Sequence, residues 1–275
     1  MLLEILECIT ASRLISLFNN NIKEINMIPK KIHYIWFGKK EKTVKVKKCI
    51  ASWKRYLPDY EIIEWNETNF DTSLSLFVQE ALAAKMYAFA SDFVRLWVVY
   101  NYGGIYLDTD VEVIKSYDDL LKEKAFFGTE EIDSINSGLS FGAEKENEVL
   151  KDLLNLYKDR KFIKSDGTFD LKTTNMIVTE YFVKKGYRLI PKIQTIENTK
   201  IFPRQYFSPI KWWEGKKKIE TVTYSIHWYD ASWLDNPSQA KYFNRNIIIL
   251  KHYSILTIRR VFGYFSYDYL KNLFK

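Results

Sequence analysis

The chain has 275 residues, which is the size of one large domain or of one domain with short extensions. Hydrophobic residues make up 47% and charged residues 27%, and this balance excludes extended disorder and collagen-like structure. The two cysteines, Cys8 and Cys49, are too few for a disulfide framework, so the sequence favours a reduced, cytoplasmic setting. The net charge is +7, and its meaning depends on where the basic residues lie in the chain.

The first 26 residues form a predicted extension. The segment MLLEILECITASRLISLF lacks a basic start and a small-residue cleavage site, so it is not typical of a signal peptide. It favours a short amphipathic helix that ends at the asparagines 19–21. We therefore expect an N-terminal helical extension over 1–26 and a main domain over 27–240.

The main domain begins with a predicted strand–helix–strand unit. The β-rich run Lys31–Phe37 predicts a buried strand, residues 43–56 a helix, and Tyr60–Trp65 a second strand, which indicates an α/β fold. Ser91 is a predicted N-cap and Gly186 a predicted C-cap. Further patterns predict helices over 75–90, 92–101, 144–160 and 173–186, a strand over 105–113, and short strands and loops over 187–230.

The charge lies mostly in the last 35 residues. Residues 241–275 carry seven basic residues against one acid, and nine aromatic residues lie among them. Basic and aromatic residues mixed in this way predict peripheral contact with an anionic membrane surface, such as the inner face of the cytoplasmic membrane. The alternative is a pair of helices that packs on the domain with a solvated basic face. No nucleic-acid recognition motif is present, so no nucleic acid partner is expected.

The strongest chemical signal is the sequence Asp108-Thr109-Asp110 after a buried strand. Alternation along the strand is expected to point both carboxylates to one face. Two carboxylates held close together are costly unless a cation joins them, and oxygen ligands suit Mg²⁺ or Mn²⁺. Upstream, Asp92 and Arg95 share a helix face, where they form either a structural ion pair or a site for a sugar hydroxyl and a phosphate.

These motifs together carry a family resemblance. They are IPKKIHYIWFG over 28–38, Ser91-Asp92 with Arg95, GGIYLDTD over 103–110, and the later Ile226-His227 and Ser232-Trp233. The chain resembles the DXD-containing glycosyltransferases that include bacterial capsular polysaccharide transferases and the initiating α-mannosyltransferases of fungi. It is more distantly similar to the glucosyltransferase domain of the large clostridial toxins.

The resemblance implies a GT-A type fold, a Rossmann-like mixed sheet flanked by helices, with a nucleotide-sugar donor and a divalent metal ion. It implies that Trp36 stacks on the donor base and that Tyr106 lines the donor site. For the sugar and the phosphates, it implies that Asp92 accepts hydrogen bonds from sugar hydroxyls, that Arg95 bridges sugar and phosphate, and that Asn136 faces the sugar near its anomeric carbon. For the metal ion, it implies that Asp110 is a direct ligand, that Asp108 contacts the metal and the ribose or sugar, and that His227 and Ser232 complete the metal shell. It also implies that Trp233 donates a hydrogen bond to a phosphate oxygen.

Each of these residues also has a structural interpretation. Trp36 and His227 are plausible core residues, and Asn136, in the sequence Ile-Asn-Ser-Gly, is a plausible turn residue. Among whole-protein alternatives, a haloacid dehalogenase-type phosphatase also uses D-x-D after a strand, but it requires Thr or Val where Glu112 stands. A non-catalytic, membrane-associated scaffold derived from a transferase is the other alternative.

The resemblance further implies transfer with retention of the anomeric configuration to a saccharide acceptor, in capsular or other surface polysaccharide synthesis. UDP is favoured as the nucleotide, and the acceptor is expected to be a lipid-linked saccharide. Because no dedicated carboxylate nucleophile is evident, attack on the same face as the leaving group is favoured over a covalent intermediate.

Overall fold

The computed structural model describes residues 28–211, 216–229 and 245–273. Its centre is a seven-stranded mixed sheet with the strand order β2-β1-β3-β6-β5-β8-β7. Strand β1 is parallel to β2 and β3, whereas β6 is antiparallel to β3 and β5. The strands are β1 (Lys31–Ile35), β2 (Glu61–Trp65), β3 (Gly104–Tyr106), β4 (Val111–Val113), β5 (Ala125–Glu131), β6 (Ser134–Ala143), β7 (Gln194–Ile196), β8 (Thr199–Phe202), β9 (Ile210–Lys211), β10 (Lys216–Lys217) and β11 (Ser225–His227).

Helices lie between these strands in the chain and after the last of them. They are α1 (Val44–Tyr56), α2 (Leu76–Ala83), α3 (Tyr87–Tyr102), α4 (Glu148–Asn155), α5 (Thr174–Lys184), α6 (Arg245–Phe262) and α7 (Ser266–Leu273). Alternation along β1 divides the core into two clusters. Ile32 and Tyr34 pack in one cluster with Trp53 of α1, and Ile35 packs in the other with Val94 of α3.

The predicted α/β class is confirmed, and so is the opening strand–helix–strand unit. The hydroxyl of Thr43 caps α1 by accepting a hydrogen bond from the amide of Val46 at 3.3 Å. The predicted C-cap at Gly186 is also confirmed, because Gly186 follows α5 with a φ of +101°, the left-handed conformation that glycine adopts without a Cβ penalty.

The predicted helix boundary at Ser91 is wrong. One continuous helix, α3, runs through this position, and the Ser91 hydroxyl donates to the carbonyl of Ala88 at 2.8 Å instead of capping an end. The break lies earlier, after α2, where Lys85 has a φ of +58°. A serine inside a helix satisfies its hydroxyl on the preceding turn, so its capping preference does not mark a boundary there.

The predicted strand over 105–113 is two strands, β3 and β4, with the aspartate pair in the turn between them. The amide of Val111 donates to the carbonyl of Asp108 at 3.0 Å and closes this turn. The two carboxylates therefore meet because of a turn and not because of strand alternation. The hairpin of β5 and β6, which was not predicted, supplies the next two strands of the sheet.

The C-terminal helices α6 and α7 contact the domain with one face. Leu256 and Tyr264 are buried, and the Arg259 guanidinium donates to Asp133 at 2.9 Å and to Asp268 at 3.3 Å. The opposite face exposes large apolar side chains. Two expectations fall outside the described residues, the helical extension over 1–26 and the positions of Ser232 and Trp233. Within the described ranges, no helix is both long and apolar enough to cross a bilayer.

Candidate active site

The aspartate pair lies at the carboxyl end of β3, where the direction of pairing in the sheet changes. Strand β3 has the parallel strand β1 on one side and the antiparallel strand β6 on the other. Main-chain bonds tie the following residues to both neighbours. The amide of Leu107 donates to the carbonyl of His33, and the amide of Asp108 donates to the carbonyl of Gly138 at 3.1 Å. Clefts at such positions are the usual ligand sites of α/β sheets.

His227 joins the two aspartates across a separate strand pair. Strand β11 is antiparallel to β4, with His227 opposite Val111, so the imidazole lies over the Asp108–Asp110 turn. Its Nε2 atom is 3.2 Å from Asp110 Oδ1 and 3.8 Å from Asp108 Oδ2. One ligand atom from each of the three residues lies within 4.8 Å of the others.

The electrostatics of this cluster indicate a site built for positive charge. Burial lowers the pKa of His227, but the charges of Asp110 and Asp108 outweigh burial and raise it to about 10. In the absence of a metal ion, the protonated imidazole therefore supplies the positive charge that the two carboxylates need.

The donor set fits a divalent metal ion. Two carboxylates and an imidazole nitrogen are ligands that Mn²⁺ accepts, and their separations of 3.2 to 3.8 Å leave room for an ion between them. Nε2 is the nitrogen that faces the carboxylates, whereas the buried Nδ1 atom of His227 has no hydrogen-bond partner among the described residues.

Arg95 connects helix α3 to the aspartate pair. Its Nη2 atom lies 3.4 Å from Asp92 Oδ1 and 3.5 Å from Asp108 Oδ1. The guanidinium carbon is 4.9 Å from the ring centroid of Tyr106, whose hydroxyl donates to Asp108 Oδ1 at 2.8 Å. Contacts with Asp92, Asp108 and Tyr106 thus fix the orientation of the Arg95 guanidinium before any ligand binds.

Asp92 is buried and fixed from the other side by α5. Its Oδ2 atom accepts a hydrogen bond from the amide of Thr174, the first residue of that helix, at 2.8 Å. Burial raises the pKa of Asp92, and the Arg95 charge and the Thr174 amide oppose this rise. The ion pair of the structural interpretation is therefore present, and both of its residues also line a cavity.

Asn136 and Gly138 place β6 against the aspartate turn. The side-chain oxygen of Asn136 accepts from the amide of Gly138 at 2.7 Å, and its amide nitrogen donates to Glu130 at 3.0 Å. A Cβ atom on Gly138 would overlap Asp108 Oδ2. Asn136 is therefore a strand residue with a fixed amide, and not the turn residue that was the alternative.

The expected site residues that the structure describes line one cavity, which has a volume of about 610 Å³. Trp36, half-buried at the end of β1, lines it, and the indole N–H donates to the carbonyl of Lys40 at 2.7 Å. The expected site residues that line it are Trp36, Asp92, Arg95, Tyr106, Asp108, Asp110, Asn136 and His227. This volume is in the range of roughly 300–1,000 Å³ that small-molecule sites have.

Sequence reasoning missed several residues that line the same cavity. Asn175 accepts from the amide of Ser137 at 2.8 Å, and the hydroxyl of Ser137 lies 3.5 Å from Arg95 Nη1. Tyr229 packs edge-on against His227 with ring centroids 4.2 Å apart. Tyr229 was within reach of the sequence, since it lies two residues after His227, whereas nothing local marks Asn175.

Comparison with known families agrees with this geometry. Residues 43–127 match the family described as the glycosyltransferase sugar-binding region containing the DXD motif. This part of the chain is therefore similar to the sugar-binding region of DXD glycosyltransferases. The match includes α3 with Asp92 and Arg95, the aspartate pair, and the strands that hold them. The enzyme class is therefore glycosyltransferase, and the expected family resemblance is confirmed.

Similar solved structures are also glycosyltransferases. The PaToxG glycosyltransferase is 18% identical with a TM-score of 0.45, over 66% of this chain and 80% of that one. A glycosyltransferase involved in the glycosylation of the major capsid of PBCV-1 is 14% identical with a TM-score of 0.42, over 77% and 99%. GlyE of Streptococcus pneumoniae TIGR4 is 12% identical with a TM-score of 0.45, over 82% and 63%. No curated protein matches the sequence significantly.

Proposed function

We propose that this glycosyltransferase is a metal-dependent, retaining enzyme that moves a hexose or an N-acetylhexosamine from a UDP-sugar to a saccharide acceptor. The observation that supports this most directly is the cluster of Asp108, Asp110 and His227 in the same cavity as the Asp92–Arg95 pair. A cation site next to a fixed guanidinium suits a diphosphate, since both supply positive charge to phosphate oxygens.

The donor occupies the cavity from Trp36 to Asn136 in this proposal. Trp36 stacks on the base, Tyr106 lines the ribose region, and Arg95 donates to a phosphate oxygen. Asp92 accepts hydrogen bonds from sugar hydroxyls, and Asn136 faces the sugar near the anomeric carbon. The buried carboxylate of Asp92 suits that role, because its amide and guanidinium partners fix its direction.

Asp108, Asp110 and His227 would hold Mn²⁺ or Mg²⁺, with Ser232 as a further ligand and Trp233 near a phosphate. An ion held there would supply positive charge to the diphosphate that leaves the sugar. Arg95 provides fixed charge at the same place, and such preorganised donors typically contribute about 10²–10³ in rate.

Retention follows the same-face route in this proposal. Asn136 donates to Glu130 and accepts from the amide of Gly138, so in this proposal its amide is a fixed group beside the sugar ring. The bond between the anomeric carbon and the phosphate oxygen breaks, and the released nucleoside diphosphate is the leaving group. A phosphate oxygen of that group takes the proton of the acceptor hydroxyl, whose oxygen bonds the anomeric carbon on the same face. Trapping of a glycosyl–enzyme intermediate would contradict this route.

In this proposal the C-terminal helices bind a membrane surface. Residues on the outer face of α6 and α7 are exposed, including Val261, Phe262 and Tyr269, and the basic residues Lys251 and Arg260 are exposed beside them. We place the enzyme in capsular or other surface polysaccharide synthesis, peripherally bound to the inner face of the cytoplasmic membrane and acting on a lipid-linked saccharide.

Nucleotide release from a panel of UDP- and GDP-sugars with Mn²⁺ tests the enzymatic proposal. We expect release from one donor by the wild type and a loss of about 10²-fold or more in Asp110→Asn, because a metal ligand becomes a neutral amide. Glu112→Gln is the matched control. Glu112 accepts from the Trp228 indole at 3.0 Å, which a glutamine also does, so its activity should be close to that of the wild type.

Two results would contradict the proposal. Equal rates of nucleotide release by Asp110→Asn and the wild type would contradict the role of Asp110 as a ligand of a metal ion that the reaction requires. No release from any donor, together with no rise in melting temperature on addition of UDP and Mn²⁺, would favour the non-catalytic scaffold.

A further inference from the structure

A second cavity opens beside the donor cavity and has no role in the function proposed so far. Its volume is about 420 Å³. Three parts of the chain form its walls, namely the β5–β6 hairpin, the start of α5, and the C-terminal helices. The hairpin contributes three acids, Glu130, Glu131 and Asp133. Helix α6 contributes Ile255 from the opposite side.

The two cavities lie next to each other and share two lining residues. Thr173 and Asn175, at the start of α5, line both of them. Glu130 of the second cavity accepts the hydrogen bond from Asn136, which lines the first. A molecule in the second cavity therefore lies next to the end of the donor site where Asn136 and Asp92 are found, and away from Trp36.

The wall chemistry favours a neutral polyhydroxyl ligand. The charge of Asp133 is balanced by Arg259 at 2.9 Å. Glu130 and Glu131 add two carboxylates on the hairpin side, which already accept from Asn136 and from the amide of Ile132. Burial raises the pKa of Glu131, but its contacts with His252 and the amide of Ile132 outweigh burial and keep the pKa below its ordinary value. Glu131 is thus ionised at neutral pH, and the three acids of the lining outnumber Arg259, which disfavours anionic ligands.

The wall of the second cavity also has apolar side chains, which can pack against the faces of a sugar ring. Ile255 is half-buried in the cavity wall, and Met176 is 43% exposed at the first turn of α5. Tyr264, stacked under the Arg259 guanidinium at 4.4 Å, lines the same wall. Carboxylate and amide acceptors for hydroxyl groups, combined with apolar contacts for the ring faces, bind saccharides, as small-molecule sites generally mix a few polar groups with apolar walls.

We infer that the second cavity, between the β5–β6 hairpin, the start of α5 and helix α6, binds the acceptor as a neutral, terminal saccharide unit. This inference rests on the proposed function and makes it more specific, because it assigns acceptor recognition to the C-terminal helices. The diphosphate of a lipid-linked acceptor then lies outside the cavity, since acidic walls repel it.

Saturation-transfer NMR with the full chain tests the inference without any donor. The probes are three neutral disaccharides, lactose, maltose and cellobiose, with free glucuronic acid for comparison. We expect saturation transfer to at least one disaccharide and little transfer to glucuronate. Ile255→Trp narrows the cavity from α6 and should raise the Kd of that disaccharide about tenfold or more. Met176→Trp narrows it from α5 and should do the same.

The control lies on the same helix. Leu250→Trp makes a similar change at a position of α6 that is 71% exposed and outside the cavity, so the Kd should stay as in the wild type. Circular dichroism establishes that each variant is folded. If Ile255→Trp does not fold, Met176→Trp carries the comparison.

Four outcomes would overturn the inference: no transfer to any neutral disaccharide, an equal Kd in both cavity variants and the wild type, tighter binding of glucuronate than of the disaccharides, or displacement of the disaccharide by UDP with Mn²⁺. The last result would place the saccharide in the donor cavity. Failure of the proposed function is recognised separately, by the absence of nucleotide release and of stabilisation by UDP and Mn²⁺.

Discussion

Gly138 shows how closely the residues of the site fit one another. Its main chain accepts from the amide of Asp108 and lies so near that carboxylate that a side chain has no room. The absence of a Cβ at this position of β6 lets the aspartate turn approach the strand. The same carboxylate contacts Arg95 and Tyr106, so its direction is set by groups on three elements.

Gly138→Ala should therefore impair the reaction more than the fold. The added methyl group must displace the end of the Asp108 side chain, and a misplacement of about 1 Å costs about 10²-fold in rate. The melting temperature should change by less than about 4 °C, because only a short side chain has to move. Nucleotide release and thermal unfolding measure the two effects.

Ser140→Ala is the matched control, two residues further along the same strand. It removes a buried hydroxyl and should leave nucleotide release close to the wild-type rate. Equal activity in Gly138→Ala and Ser140→Ala would show that the position of Asp108 is not set by β6.

At the scale of elements, His33 of β1 ties the first part of the sheet together. Its Nδ1 atom accepts from the Trp65 indole of β2 at 3.1 Å, and its Nε2 atom lies 2.8 Å from the carbonyl of Gly103, before β3. These partners require a neutral ring with the proton on Nε2. Burial lowers the pKa of His33 to about 4, although the Gly103 carbonyl opposes this.

We expect stability to fall as the pH is lowered from about 6.5 to about 4. In this range an unfolded chain with the ordinary His pKa of 6.5 binds a proton that the folded state excludes. The contribution is fully present above pH 6.5, and a shift from 6.5 to about 4 corresponds to about 3 kcal/mol lost at the acid end.

Urea unfolding at several pH values measures this loss. His33→Phe removes the titrating group, so the difference in unfolding free energy between the wild type and this variant should shrink as the pH falls. Parallel curves for the two proteins would exclude His33 as the source of the pH dependence.

The same elements show what the sequence can predict. The unit of β1, α1 and β2 has strong local signals, namely a β-rich run and one apolar helix face, and its three elements were predicted. The Thr43 cap of α1 was not predicted. Ser91 misled the prediction, because a helix interior tolerates serine when the preceding carbonyl accepts its hydroxyl proton. Strands β5 and β6 are buried over most of their length, so they lack the alternation that marks a half-exposed strand.

The site was predictable to the extent that its residues lie in compact motifs. Asp92, Arg95, Asp108 and Asp110 lie within 20 residues of one another, and they could be grouped before the fold was seen. Asn175 contributes to both cavities only because α5 packs on β6, and no local pattern contains that information. The second cavity was hidden for the same reason, since its walls come from three distant parts of the chain.

At the scale of the whole molecule, the C-terminal helices pack on the domain with one face and expose the other to solvent. The inner face is fixed to the domain through Arg259 and Asp133, whose side chains are 15% and 10% exposed. The outer face is apolar and basic. Phe262 is 74% exposed and Val261 is 66% exposed, which is unusual for large apolar side chains on a surface with no partner.

We expect this outer face to bind vesicles that contain anionic lipid. Phe262→Asp should weaken binding about tenfold or more, because it removes roughly 1.5–3 kcal/mol of apolar burial and adds a repelled charge. The substitution leaves the contacts of Arg259 in place, whereas deletion of the segment would also strip the wall of the second cavity. Vesicle co-sedimentation with and without phosphatidylserine measures the effect.

Val44→Asp is the matched control, since it changes an apolar residue that is 71% exposed at the start of α1. It should bind vesicles as the wild type does. Added salt should weaken wild-type binding, because the Debye length falls from about 10 Å at 0.1 M to about 3 Å at 1 M. Binding that is unaffected by Phe262→Asp and by salt would assign the exposed face to a partner other than an anionic membrane.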